Sequence, residues 1–198
     1  MTNAYPCRMP PVSPVAYSPE QKQAHEEFYA TRGKHLGGAP QAGAFAGPWG
    51  IFIRSPELLT LTQRMGEYLR YRCAISGRLS ELAILLVARH WSADFEWYAH
   101  SKIAVKEGLS QDVVDAIAEG RRPDGLKEDE QIVYDYVSEI LTTRRVSDMT
   151  FERAKALFGE KALVDICGVT GYYSLLAMTM NVARVQTPDG SRMSRLPE

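Results

Sequence analysis

The sequence predicts an all-α fold, and three observations carry that prediction. Apolar residues recur at three- and four-residue intervals in most segments between Pro19 and Val185, the spacing of one buried helical face. Serine stands just before several of these segments, with proline next at Ser18-Pro19 and Ser55-Pro56, the N-cap and N1 pairing that opens a helix. No stretch alternates polar and apolar residues at period two, and no hairpin signal appears. The chain has 198 residues, 45% of them hydrophobic, enough for one well-buried helical domain. That domain is expected over residues 18–185, between an extended arm (1–17) and a polar tail (186–198).

In the arm, Pro6, Pro10, Pro11 and Pro14 favour extended backbone. Ser18-Pro19 starts the first helix, which should run to about His35. Residues 36–50, LGGAPQAGAFAGPWG, predict a loop of a length that often covers a site. Ser55-Pro56 opens a helix to about Cys73 or Ala74, with Leu58, Leu61, Met65 and Leu69 as its core face. Ile75-Ser76-Gly77 is a break, and Gly77 or Ser80 leads into a helix bearing Glu81, Leu82, Ile84, Leu85 and Val87. Trp91-Ser92-Ala93-Asp94 holds two N-cap candidates in succession, which predicts a second break. The next helix then runs from about Ala93 to Glu107 and stops at Gly108.

Ser110 caps a short helix, Gln111 to Glu119, and the polar loop GRRPDGL follows. A helix from about Lys127 to Thr142 turns Ile132, Val133, Tyr136, Val137, Ile140 and Leu141 inward, and Thr150 starts another to about Phe158. The last, from about Glu160 to Val185, is apolar nearly all round (Leu163, Val164, Ile166, Val169, Tyr172, Leu175, Leu176, Met178). Such a helix should be buried by other helices or by a second subunit.

A net charge of −1, with no basic stripe interleaved with aromatics, argues against nucleic-acid binding and against a polybasic membrane anchor. No apolar run reads as a span, since Leu82 to Ala88 is closed by Arg89 and His90, and the N-terminus lacks an apolar signal core. A cytoplasmic location is therefore expected. Cys7, Cys73 and Cys167 are far apart and odd in number, which speaks against a disulfide framework and a Cys-based zinc site. Cys73 and Cys167 lie in apolar helical patterns and are expected in the core.

The chemistry concentrates in Glu81 to His100, ELAILLVARHWSADFEWYAH. Glu96 and His100 are four residues apart, so their side chains share one helical face. Among Trp91, Phe95, Trp97 and Tyr98 such a pair can act as an acid/base unit, because apolar walls shift pKa values toward neutrality. The plain alternative is an ion pair satisfying a partly buried histidine. An unbroken helix would hold Glu81 roughly 28 Å from His100. Glu81 also suits the helix dipole where it stands, near a helix start. Trp91, Trp97 and Tyr98 are candidates for substrate binding or simply for packing. Arg72, Arg78 and Arg89 could bind a carboxylate or remain solvated. A metal site through His90 lacks the spacing of known motifs.

Four stretches carry a family resemblance: SPELLTLTQRMGEYLRY (55–71), RLSELAILLVARHWSADFEWYAH (78–100), KEGLSQDVVDAI (106–117) and GYYSLLAMTMNVARV (171–185). Over about residues 45–185 the chain resembles the carboxymuconolactone decarboxylase and AhpD-type alkylhydroperoxidase superfamily. The resemblance implies a small AhpD-like helical bundle assembled as a trimer or hexamer, with sites near subunit contacts and with neither metal nor organic cofactor. In the peroxidase branch a Glu, a C-x-x-C pair and a His four residues past the second Cys form a relay. Glu81 falls on that Glu and His100 on that His, but Ala93 and Glu96 stand where the cysteines would be. Without a thiolate, peroxide reduction by that route is lost.

Lyases of the decarboxylase branch carry a Glu-x-x-x-His similar to Glu96–His100. The resemblance thus implies a cofactor-free acid/base lyase, a decarboxylase or isomerase, acting on a small organic acid or lactone. His100 would move the proton, Glu96 would orient it or act as base, and Glu81 would complete the relay. Two other readings stand beside this one. One is an AhpD-like redox protein, against which the missing C-x-x-C counts. The other is a non-enzymatic oligomeric protein that binds a small molecule in an apolar pocket.

Overall fold

The computed structural model describes residues 6–32 and 43–194. Residues 1–5 of the predicted arm, the end of the first helix near His35, residues 36–42 of the predicted loop and residues 195–198 of the tail lie outside the described residues. Those described form helices and no strand: α1 (Pro19–Thr31), α2 (Gly47–Phe52), α3 (Pro56–Tyr71), α4 (Gly77–His90), α5 (Asp94–Lys106), α6 (Gln111–Ala118), α7 (Glu128–Thr143) and α8 (Asp148–Ala183). The all-α prediction holds. By its internal contacts the chain divides into two units. The first holds the described residues up to Arg72 together with Thr179–Gln186, and the second holds Cys73–Met178 with the described residues from Thr187.

In the first unit Ser18 opens α1 with a capping box, its side chain accepting from the Gln21 N–H while Gln21 reaches back to the Ser18 N–H. Part of the arm is held: the Arg8 N–H donates to the Ala183 carbonyl (2.8 Å), and Arg54 Nη2 donates to the Pro10 carbonyl (2.6 Å). Pro14–Ala16 makes a 3-10 turn, and Tyr17 after it is buried. Two expectations fail here. Residues 47–50, read as loop, belong to α2, where Pro48 near the start presets the helical φ. On α3 the core face is turned by one residue, about 100°: Leu59, Thr62, Gln63, Gly66 and Leu69 are buried, while Leu58, Leu61 and Met65 are exposed. Of the buried polar groups, Thr62 Oγ1 donates to the Leu58 carbonyl at 2.6 Å and Gln63 Oε1 lies 2.9 Å from Thr31 Oγ1 on α1.

In the second unit α4 is the central helix. Every residue from Leu79 to Arg89 is buried, and α5, α6 and α7 all pack against it. Ser76 caps it by accepting from the Leu79 N–H. On α7, Ile132, Val133, Tyr136 and Val137 are buried as expected, whereas Ile140 and Leu141 are half-buried. α8 is broken at Gly159, whose φ of +76° and ψ of 164° only glycine adopts freely, so the predicted start of a new helix at Glu160 is met. Beyond that break Leu163, Ile166, Val169, Tyr172 and Leu176 are buried, but Val164 is 70% exposed and Met178 and Val182 are exposed. Cys167, expected in the core, is also exposed, and Cys73 is half-buried.

By length and composition α8 could cross a membrane, against the expectation that no apolar run reads as a span. Over half (56%) of its most apolar window is nevertheless buried within the protein, as in a core helix.

Candidate active site

The turn between α4 and α5 builds the site. The Ala93 N–H donates to the Ala88 carbonyl (2.9 Å) and the Ser92 N–H to the Arg89 carbonyl (3.1 Å). Ser92 takes φ of +47°, the left-handed position usually given to glycine in this helix ending. The chain therefore reverses within three residues and α5 packs back on α4. Glu81 sits nine residues before the end of α4 and His100 six residues after the start of α5. Their heights above the turn differ by about 5 Å, roughly one helical pitch, which two side chains span.

The two side chains meet. His100 Nδ1 lies 2.7 Å from Glu81 Oε2, with Glu81 3% and His100 14% exposed at the side chain. A carboxylate at that nitrogen fixes the ring with Nδ1–H donated to Glu81 and leaves Nε2 for other partners. Glu96 is 2% exposed, and among the described residues its Oε2 has no hydrogen-bond partner. Burial, reinforced by the nearby Glu81 carboxylate, holds Glu96 well above the usual carboxylate range. The site thus combines the Glu81 carboxylate, an imidazole and a second, buried carboxyl group that holds its proton more tightly than a free one. Closing one side is Tyr173 of α8, whose ring stands edge-on to His100 at 5.1 Å, with Tyr172 edge-on behind it at 5.3 Å.

Of the residues proposed from sequence, Glu81, Glu96 and His100 are brought together, and Glu81, not Glu96, is bonded to the histidine. The three aromatic candidates are placed elsewhere. Trp97 and Tyr98 line a groove of about 420 Å³ with Asp94, Lys102 and the segment from Asp189 to Ser194, in which neither His100 nor the two glutamates take part. Trp91 packs edge-on against His90 at 5.8 Å. The arginines are committed to protein groups: Arg78 to Asp129 (2.6 Å) and Glu130, Arg72 to Glu67 (2.6 Å), and Arg89 to the Ala118 and Ser194 carbonyls (3.1 and 2.7 Å). Tyr173 lies 73 positions beyond His100 in the chain, too far for any local spacing to link the two.

No family model matches the chain, and no curated protein does. A crystal structure from Agrobacterium tumefaciens does match: a protein of unknown function, provisionally described as the antioxidant defence protein AhpD. The superposition has a TM-score of 0.62 at 20% identity, and covers 69% of this chain and 94% of that one. The fold is AhpD-like. Within this AhpD-like fold Ala93 stands in the connection from α4 to α5 and Glu96 in the first turn of α5, and the chain's cysteines at positions 7, 73 and 167 lie on other segments.

Proposed function

We propose that the protein is a cofactor-free acid/base lyase or isomerase of the carboxymuconolactone decarboxylase kind, acting on a small organic acid or lactone. The observation that carries this reading is the 2.7 Å contact of His100 Nδ1 with Glu81, beside a buried Glu96 whose pKa burial pushes well up. Glu81 orients the imidazole so that Nε2 carries the transferred proton. Glu96 supplies a carboxylic O–H within the same apolar site. An oriented imidazole beside a carboxyl group that holds its proton more tightly is the pair that proton transfer at carbon needs.

On a β,γ-unsaturated lactone carboxylate the C–C bond to the carboxyl group breaks and CO2 leaves with neither electron of that bond. The electron pair spreads into the conjugated system as a dienolate, to whose oxygen Glu96–OH donates a hydrogen bond. His100, which takes up a proton from solvent at Nε2 before the bond breaks, then delivers it to the γ carbon and is reprotonated by water. The test is turnover of such a lactone in deuterated water, followed by NMR. One deuterium should enter at the γ carbon, and the protein-dependent rate of that incorporation should need His100. Release of CO2 no faster than without the protein would remove the proposal.

A thiol plays no part in this scheme. The Cys7→Ser, Cys73→Ser, Cys167→Ser triple variant should keep full lyase turnover, and the parent protein should not reduce an alkyl hydroperoxide. Hydroperoxide turnover that vanishes in the triple variant would favour the redox reading instead.

Homo-oligomerisation, as a trimer or hexamer, belongs to the same proposal. It is supported by the exposed Val164 and Met178 on a helix that is otherwise core. Light scattering at micromolar concentration should give a mass above that of one 22.2 kDa chain, and Val164→Asp should lower it. A monomer in the parent protein would refute this part.

A further inference from the structure

A cavity of about 520 Å³ opens in the second unit where α4, α6 and the second half of α7 come together. Neither Glu81, Glu96 nor His100 lines it. A volume of this size suits a small organic ligand. Leu86 and Ile117 are buried and form the floor with half-buried Leu141. His90, Arg121 and Thr142 are exposed and stand at the mouth. The cavity is thus apolar at the bottom and polar at the rim.

Its charge is of one sign. Arg89, His90 and Arg121 line it, and among the described residues no Asp or Glu does. Acidic residues nearby in the chain serve other partners: Asp135 holds Arg122, and Glu139 accepts from Ser147 and Thr150. Arg89 is fixed in the wall, donating to the Ala118 and Ser194 carbonyls and to Ser92 Oγ. Arg121 is held more loosely. Its Nε meets Glu119 Oε2 at 2.5 Å, but the two side chains are 52% and 59% exposed, and a pair so open to water holds weakly. Carbonyls at the ends of α4 and α6, which would repel an anion, are already occupied. Those of Val87 and Ala88 accept from the Trp91 and Ala93 N–H groups, and those of Ala116 and Ile117 from Arg121 and Gly120.

We propose that this cavity binds an amphiphilic monocarboxylate, its apolar body on Leu86, Ile117 and Leu141 and its carboxylate taken by Arg121 in exchange for Glu119. The planar fork of arginine matches a carboxylate with two parallel hydrogen bonds. A ligand that reaches from mouth to floor also buries apolar area, which the exposed Glu119 pair does not. An inorganic anion would leave the floor unfilled. The site goes beyond the proposed lyase reaction: it contains none of the acid/base groups, so the ligand is held here and not turned over.

Naphthalene-2-carboxylate, its neutral amide and acetate are suitable probes, followed through the histidine ring signals in proton–carbon NMR spectra. The chain has four histidines, and His90→Gln identifies the signal of His90. The ring current of a bound naphthalene moves only signals close to it, so the readout is local. The carboxylate should shift the His90 signal saturably. The amide should bind about tenfold or more weakly, the scale of a lost hydrogen bond to a charged group. Acetate, which has no apolar body to fill the floor, should displace the naphthalene only at far higher concentration. Arg121→Gln should weaken the carboxylate by a factor similar to that for the amide. No saturable shift at His90, equal binding of acid and amide, acetate competing as an equal, or unchanged affinity in Arg121→Gln would each overturn the proposal. A shift confined to His100 would put the ligand in the acid/base site and overturn it as well, while the lyase reading is judged separately by turnover. Should Arg121→Gln not fold, the comparison of acid and amide on the parent still decides it.

Discussion

His100→Gln should lower turnover of a lactone acid by roughly a hundredfold or more, the scale of a lost general acid/base, with little change in thermal stability. The reason lies in the two ends of the ring. Nδ1 is spent on Glu81 at 2.7 Å, and a glutamine amide can still donate to that carboxylate, so the buried charge keeps a partner. Nε2 carries the chemistry, and an amide has no basic nitrogen to replace it. A purely structural His100 predicts the reverse order: the melting temperature falls and turnover per folded molecule survives. Turnover and melting temperature measured on the same preparation separate the two, and a folded variant with full activity would end the proposal.

Glu96→Gln should also lower turnover, by roughly tenfold or more, since an amide N–H stabilises the dienolate oxygen less than a carboxylic O–H does, but it should make the protein more stable at neutral pH. Burial and the Glu81 carboxylate raise the Glu96 pKa in the folded state. Below the ordinary carboxylate pKa both folded and unfolded chains hold the proton, and parent and variant differ least. As the pH rises past that value the unfolded chain releases a proton that the folded chain retains. The parent then loses about 1.4 kcal/mol per pH unit relative to the variant, until Glu96 ionises in the fold. Urea unfolding of both proteins from pH 4 to pH 8 would reveal this widening gap. Parallel pH dependences would mean that Glu96 is not held protonated.

Individual residues show why some of this was readable in the sequence and some was not. The break before α5 was legible because Ser92, Ala93 and Asp94 interrupt the helical pattern, and a tight helix ending is a local event. The sharing of a face by Glu96 and His100 followed from four-residue spacing. The core face of α3 was misread because Leu58, Leu61 and Met65 repeat with the same period as the true face one residue on. Hydrophobicity prefers the former, but Thr62 and Gln63 are buried with hydrogen-bond partners and Gly66 removes bulk on that side. Cys167 was misplaced for a related reason: on a helix apolar all round, sequence gives no direction to the core.

The sequence by itself determined the helical class, most helix starts and the absence of a C-x-x-C pair, because capping, periodicity and residue identity are properties of neighbours along the chain. It also named Glu81, Glu96 and His100. Only the tertiary structure decided which glutamate holds the histidine. It did so through the reversal at Ser92, which sets Glu81 and His100 about one helical pitch apart in height, and through the packing that buries Glu96 beside them and raises its pKa. The placing of Tyr173 against His100, and of Trp97 and Tyr98 on another groove, was likewise fixed by packing between helices far apart in sequence. A side chain's partner across such a distance depends on how the helices are rotated against each other, and that rotation is settled by the packing of the whole core.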